Sequence, residues 1–315
     1  MSNSPTDVAI IGAGITGAAA AYRLYELGIV AEVHEAEALV GGRMARCDVA
    51  GAAFDHGAQF FTTRGNKFRS LVQAAEAEGA TQVWTRGFGD NPDGYERWRG
   101  VPDMTALAAW LLGKSQARLH LGSAIHDLGE LSASGIILTP PVPVSLSLAQ
   151  RSGMEPPSKI MSQLQAIQYK RTIAVLLVLE SPPKEMPVGG GIQLLDGEDL
   201  AFISDNNEKG VSSIPALTIH LSNQASLDLW DQPDETVIGF ATDKLSRWVE
   251  ATDVTTSSIT RWRYAGPVDV VPESSVTWGQ KPRLVVAGEA FNGPKVEGAF
   301  NSGIAAANQI AELAR

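Results

Sequence analysis

Three glycines, Gly12, Gly14 and Gly17, sit in the segment VAIIGAGITGAAAAYRLYELGIVAEVHE (8–35) with the G-x-G-x-x-G spacing that lets bare backbone meet a dinucleotide phosphate. Gly12 permits a tight turn, Gly14 a close approach to the pyrophosphate, and Gly17 close packing of helix on strand. Ala13, Ile15 and Thr16 complete a loop whose N–H groups and positive helix end would face the anion. Glu35 closes the unit: its carboxylate would accept from a ribose hydroxyl and repel a 2′-phosphate. Ala36 follows it. Further on, Gly42, Arg43 and Met44 bring a guanidinium suited to the pyrophosphate. A third cluster lies near the C-terminus, where Gly288 and Glu289 follow an apolar strand and Val296, Glu297, Gly298 and Ala299 open a small-residue helix.

The elements that must position these groups follow from periodicity and punctuation. Val8 to Ile11 read as a buried strand and Ile15 to Leu27 as a helix that Gly28 stops. A helix is predicted over Lys67 to Glu78. An aromatic hairpin follows over Val83 to Gly100, carrying Trp84, Phe88, Tyr95 and Trp98. VPDMTALAAWLLG reads as a helix with Pro102 near its start, and ARLHLGSAI and GIILTPPVP as short strands. From Pro141 to about Ala265 the pattern changes. It gives a helix near Val144 to Arg151, strands in TIAVLLVLE, LAFISDNN and ALTIHLS, and an acidic helix near Glu235 to Glu250. The expected fold is α/β: a Rossmann-like dinucleotide-binding domain with an inserted α+β domain built on a mainly antiparallel sheet. Residues 1–65, 101–140 and 266–315 would form the first domain, and 66–100 and 141–265 the second, substrate-binding one.

The chain of 315 residues is long enough for two interleaved domains, and its 44% hydrophobic and 19% charged content is that of a globular protein. A net charge of −10 argues against nucleic-acid or anionic-membrane partners. No run approaches the roughly 18 apolar residues of a membrane span. The leading MSNSPTD lacks an export signal, so a cytoplasmic location is expected. With Cys47 as the single cysteine, disulfide, dithiol and thiolate-metal chemistry are excluded. His34, His56, His120, His126 and His220 show no metal-ligand spacing, so no metal is expected.

An N-terminal fingerprint, a Gly-Gly-Arg about 25 residues later and a distal strand, acid and helix together suit an extended FAD, whereas a nicotinamide dehydrogenase does not need the third point. GAGITG, GGR and VAGEAF…VEGAFNSGIAAA resemble the two-dinucleotide-binding-motif flavoproteins, the class of amine oxidases and phytoene desaturases. Within that class HGAQF, PPVPVSL (140–146), FISDNNEKG (202–210) and RWRYAGP (261–267) resemble the renalases. That resemblance implies non-covalent FAD and a dihydronicotinamide dinucleotide as substrate. It also implies oxidation of 2- and 6-dihydro isomers of NAD(P) to NAD(P)+, with O2 reduced to hydrogen peroxide. It puts Gln59 and Phe60 beside the flavin and Ile125 on the adenine side. It further implies a substrate pocket formed by Asn206, His220, Trp262, Arg263 and Phe291. Two departures stand out: Glu289 where such flavoproteins usually carry Asp, and a short connection between His120 and Thr139. An amine oxidase or polyene desaturase, and a flavin-binding scaffold or sensor without turnover, are the competing expectations.

Overall fold

The computed structural model describes residues 8–88, 93–194, 198–291 and 293–313. Strand β1 (Val8–Ile11) is buried throughout and leads through the glycine turn into α1 (Ile15–Glu26), whose alanine-rich face is sealed against the sheet. Gly28 takes φ +81 just past the helix end, a left-handed conformation that glycine adopts without a Cβ penalty. The chain continues through β2 (Glu32–His34) into a hairpin of β3 (Arg46–Val49) and β4 (Ala52–Asp55). Then come α2 (Asn66–Ala77) and the hairpin of β5 (Thr81–Thr85) and β6 (Arg97–Gly100). That hairpin is the predicted aromatic one, and part of its loop, residues 89–92, lies outside the described residues. Helix α3 is Thr105–Ser115, so Pro102 is not inside it; the Val101–Pro102 peptide is cis and belongs to the turn before the helix.

β7 (Arg118–His120) and β8 (Gly135–Leu138) are followed by α4 (Val142–Arg151) and α5 (Ser158–Gln165). Next are β9 (Tyr169–Leu179), β10 (Gly191–Gln193), β11 (Leu200–Asp205) and β12 (Ala216–Leu221). α6 (Asn223–Asp228) and α7 (Asp234–Lys244) precede β13 (Val254–Pro267), the longest strand described. β14 (Val276–Trp278), β15 (Arg283–Val286) and α8 (Val296–Leu313) complete the chain.

Two sheets organise the molecule. The first has the order β14-β15-β8-β1-β2-β7, parallel except for β14, with α1, α3 and α8 against one face and α4 and α5 against the other. Gly303 of α8 lies against α1, and a Cβ there would sit 2.2 Å from Thr16 O, so the two helices touch backbone to backbone. Both begin at the carboxyl ends of the strands, where open α/β sheets bind ligands. The second sheet, β10-β11-β12-β9-β13, is antiparallel. Its central strand β9 is apolar on both faces: Ile173, Val175 and Leu177 pack toward α6 and α7, while Ala174, Leu176 and Val178 pack on Ala52 and Phe54 of β4. The β3–β4 hairpin therefore joins the two sheets. No described helix is long and apolar enough to cross a membrane.

Candidate cofactor cleft and substrate face

The phosphate loop is built from approaches that only glycine allows. Gly12 turns at φ +99, its N–H donating to His34 O at 2.8 Å, and a Cβ on Gly17 would lie 1.9 Å from Gly12 O. Gly14 is the N-cap of α1 and offers no capping side chain, which leaves first-turn amides for an anion. Gly41, at φ +113, bridges to Gly14 and donates to Ala13 O at 2.9 Å, so the turn carrying Gly42, Arg43 and Met44 is stitched to the loop. Glu35 is only 8% exposed. Its Oε2 accepts from Ala13 N at 2.7 Å and its Oε1 from Glu37 N at 3.1 Å, which aims the carboxylate across the turn; Ala36 beside it is exposed.

At the distal point, Glu289 forms a bidentate pair with Arg43, with Nη1 donating to Oε1 at 2.7 Å and Nη2 to Oε2. Arg43 Nη1 also donates to Tyr264 O at 2.8 Å. Burial, reinforced by Glu289, pushes the Tyr169 phenol well above its usual range. Gly298 presses on Gly293, where a Cβ would lie 2.2 Å from Gly293 O, and Ala299 is buried behind it. Glu297 turns away to accept from Arg64 N at 2.8 Å and Gly65 N at 2.6 Å, at the entrance to α2. Val296 packs on the core shared by α1 and α3, and Ile125 packs on the opposite side of the sheet. A Cβ on Gly288 would point into open space, and one on Gly14 or Gly42 would meet only backbone at 3.6 Å or more. Side chains there would fill the cradle, so the residues present fit a dinucleotide.

On the sheet side the segment Asp55 to Phe60 lies against the Arg43 turn, where Ala58 N donates to Arg43 O at 2.9 Å. Asn206 Oδ1 accepts from Asp55 N at 3.1 Å, and its Nδ2 donates to Thr218 Oγ1 at 2.9 Å; that hydroxyl donates to Asp55 O at 3.0 Å. Trp262 Nε1 donates to His56 O at 3.0 Å, and His220 Nε2 lies 3.1 Å from the same oxygen. His56 Nδ1 faces Thr260 Oγ1 at 3.1 Å, and its ring stands edge-on to Trp262. Gln59 folds back, its Nε2 donating to Asp55 O at 2.5 Å and Gly57 O at 3.1 Å. Phe60 joins Trp84, Phe88 and Phe202 in an aromatic group with centroids 5.1 to 6.5 Å apart. Asn206, His220, Trp262 and Gln59 thus converge on the backbone of Asp55–Gly57. Arg263 and Phe291 are not part of that group. Arg263 is exposed, and Phe291 is fully buried among Ile11, Leu138 and Trp278 while its backbone pairs with Val271.

Sequence reasoning missed Asp55 and Lys209. Their side chains are 0% exposed and pair at 2.7 Å, while Met104 N donates to Asp55 Oδ1 at 2.9 Å. Lys209 Nζ also donates to Gln59 O at 2.7 Å and lies 4.6 Å from the Trp84 ring centroid. Burial pushes the Lys209 ammonium down, and Asp55 works against that push. The available signal was an acid ending the apolar run AAFD, since such a residue, when buried, needs a cation.

Burial lowers His220 to about 4, against an ordinary 6.5, with the His56 carbonyl acting in the opposite direction. A depressed folded value means that the neutral ring's contribution is complete above 6.5 and is lost as pH falls toward about 4. Allowing for the ring's partial exposure, this amounts to about 2 kcal/mol. Urea unfolding across that window should show the wild type losing about that much more stability than His220→Gln, whose amide does not titrate. Parallel losses in the two proteins would mean that the ring is freely solvated.

A glycine turn at the strand ends, a Gly-Gly-Arg turn stitched to it and the Arg43–Glu289 pair make an arrangement that suits a flavoprotein of the dinucleotide-binding class. Residues 10–75 match the NAD(P)-binding Rossmann-like domain family, and residues 112–311 match the flavin-containing amine oxidoreductases. The chain belongs to the flavin-containing amine oxidoreductase family; it is an FAD-dependent oxidoreductase. Among solved structures it is similar to cyclohexylamine oxidase from Brevibacterium oxydans, with TM-score 0.68 and 15% identity over 99% of this chain and 100% of that one. It is also similar to a putrescine oxidase bound to putrescine, with TM-score 0.67 and 16% identity over 99% of each chain. A reduced UDP-galactopyranose mutase gives TM-score 0.68 and 11% identity over 98% of this chain and 96% of that one. These likenesses are of fold, and one fold here carries both oxidases and a mutase.

Proposed function

We propose that this chain is a renalase-like oxidase that converts 2- and 6-dihydro isomers of NAD(P) to NAD(P)+ and reduces O2 to H2O2. The observation that carries this reading is convergence. HGAQF, FISDNNEKG and RWRYAGP, three separate segments with renalase-like sequence, meet at the Asp55–Gly57 backbone through Asn206 and Trp262, and His220 of β12 reaches the same His56 carbonyl. PPVPVSL opens α4 directly after Thr139, whose Oγ1 donates to Ile11 O. In this reading residues 66–100 and 141–265 form the substrate part; Trp84 Nε1 donating to Gly189 O at 2.7 Å supports grouping the β5–β6 hairpin with the second sheet.

FAD, held by the glycine turn and Glu35, would supply the two-electron acceptor between the donor and O2. The balance is dihydro-NAD(P) + O2 + H+ to NAD(P)+ + H2O2. A dihydropyridine gives up hydride without prior loss of a proton, so the chain needs no general base, in keeping with a neutral, backbone-bound His220. The residues' task is placement. Gly12, Gly14, Gly17, Glu35 and the Arg43 turn hold the dinucleotide. Asn206, His220 and Trp262 fix the segment bearing Gln59 and Phe60. The N-terminal turn of α8 would favour negative charge placed near it by about 0.3–1 kcal/mol.

An amine donor is the second reading, favoured by the aromatic group of Phe60, Trp84, Phe88 and Phe202, which could enclose a neutral amine. Oxygen-coupled assays separate the two. Rapid, peroxide-producing turnover of the dihydro isomers is expected, with slow turnover of NADH and none of monoamines. His220→Ala should slow the isomers and leave flavin content unchanged. Fast amine turnover would refute the proposal, and no turnover with any donor would favour a scaffold.

The flavin should be held without a covalent bond, because the distal motif around Gly288–Ala299 carries no cysteine to form a thioether with it. Acid precipitation of the yellow protein should release intact FAD into the supernatant. Colour remaining with the pellet would contradict this.

A further inference from the structure

The edge of the first sheet holds a cluster outside the redox cleft. β2 and β7 pair in parallel with His34 opposite His120 and Glu32 opposite Arg118. Side chains alternate along a strand, so Val33 is buried toward α1 and α3 while Glu32 and His34 share the other face, where His120 joins them. The two imidazoles stack with centroids 4.7 Å apart and planes 12° apart. His34 Nδ1 faces Ser123 Oγ at 3.4 Å, whereas its Nε2 is buried, has no hydrogen-bond partner and lies 3.9 Å from Glu32 Oε2. One ligand atom from each of Glu32, His34 and His120 falls within 4.8 Å of the others.

We propose that Glu32, His34 and His120 bind a divalent transition-metal ion of the zinc class, with water completing the shell. Two imidazoles and one carboxylate suit Zn(II) rather than Mg(II) or Ca(II), which prefer all-oxygen sites. Bonds of about 2.0–2.1 Å at a tetrahedral ion need donor atoms roughly 3.3 Å apart, so donor atoms now within 4.8 Å must close by up to about 1.5 Å. The exposed His120 and half-buried Glu32 side chains permit that closure. Ser123 at Nδ1 orients the His34 ring with Nε2 toward the ion, the outer-shell arrangement usual for metal-bound histidine. Arg118 Nη1, 3.0 Å from Glu32 Oε1, steadies the carboxylate and also offsets its charge, which favours moderate rather than tight binding. The ion would clip β7 to β2, where Glu35 N already donates to His120 O at 2.9 Å, and so brace the strand end that presents Glu35. The role is structural and does not depend on which donor the enzyme oxidises.

The test is calorimetric titration of chelator-treated, untagged, FAD-loaded protein with Zn(II), repeated with His34→Ala, His120→Gln and, as a surface control, His126→Ala. One equivalent should bind to the wild type and the His126 variant, with affinity at least tenfold weaker in each of the other two. Retained flavin absorbance verifies their fold. His120→Gln, altered at an exposed ring, keeps the test open if His34→Ala fails to fold. Absence of one-equivalent binding, or equal affinity in all four proteins, would overturn the proposal.

Discussion

Lys209→Ala should lower folding stability by about 3–5 kcal/mol, the usual cost of leaving one member of a buried ion pair alone. Lys209 and Asp55 are both shielded from water, and the ammonium also satisfies Gln59 O. Without it, Asp55 keeps the Met104 amide but faces a dry interior, and it must either stay charged at high cost or take up a proton. The loss should appear as a lower urea midpoint with an unchanged slope. Replacing both partners, as Asp55→Asn with Lys209→Met, should recover much of it, because no uncompensated charge remains. A single-variant loss below about 1 kcal/mol would mean that the pair is hydrated. The pair fastens the Asp55–Phe60 segment to the loop after β11, so flavin content should fall along with stability.

Glu35→Ala should weaken FAD binding by about 1.5–3 kcal/mol, or roughly 10- to 150-fold in Kd. Two effects add. The ribose loses a charged acceptor, and Ala13 N loses the 2.7 Å bond that shapes the glycine turn. Glu35→Gln keeps an acceptor oxygen for one of these and should fall between the two. Flavin fluorescence quenching on titrating apoprotein gives the constants directly. Unchanged affinity in Glu35→Ala would make Glu35 a loop brace with no nucleotide contact.

What could be read from the sequence was what is local. The glycine turn, Glu35, the Gly-Gly-Arg turn and α8 are each set by residues a few positions apart, and each forms as expected. Relations across the chain were hidden. Arg43 and Glu289 were separately suited to a cofactor, but nothing in either segment shows that they pair. The His34–His120 stack depends on β2 and β7 being neighbours, which no ligand spacing announces. β13 was missed because VTTSSITRWRYAGP is polar; it is nonetheless rich in β-branched residues, and its half-buried edge position tolerates them. The acidic helix ends at Lys244 rather than near Glu250, because the apolar residues beyond it, Leu245 and Val249, turn back into the core. Trp262 and Arg263 part company because they are consecutive residues of β13, and adjacent strand residues face opposite sides. Phe291 is held in the core by a turn whose closing bond, from its own N–H to Gly288 O, is invisible to composition.

The identity of the electron donor decides between a dihydronicotinamide oxidase and an amine oxidase. Anaerobic stopped-flow mixing of the oxidised enzyme with 2- and 6-dihydro-NAD(P), NADH and simple amines, followed by loss of oxidised-flavin absorbance, tests it without involving oxygen. Rapid bleaching by the dihydro isomers, slow bleaching by NADH and none by amines is the predicted result. Fast bleaching by an amine, or equal rates for NADH and its isomers, would contradict it.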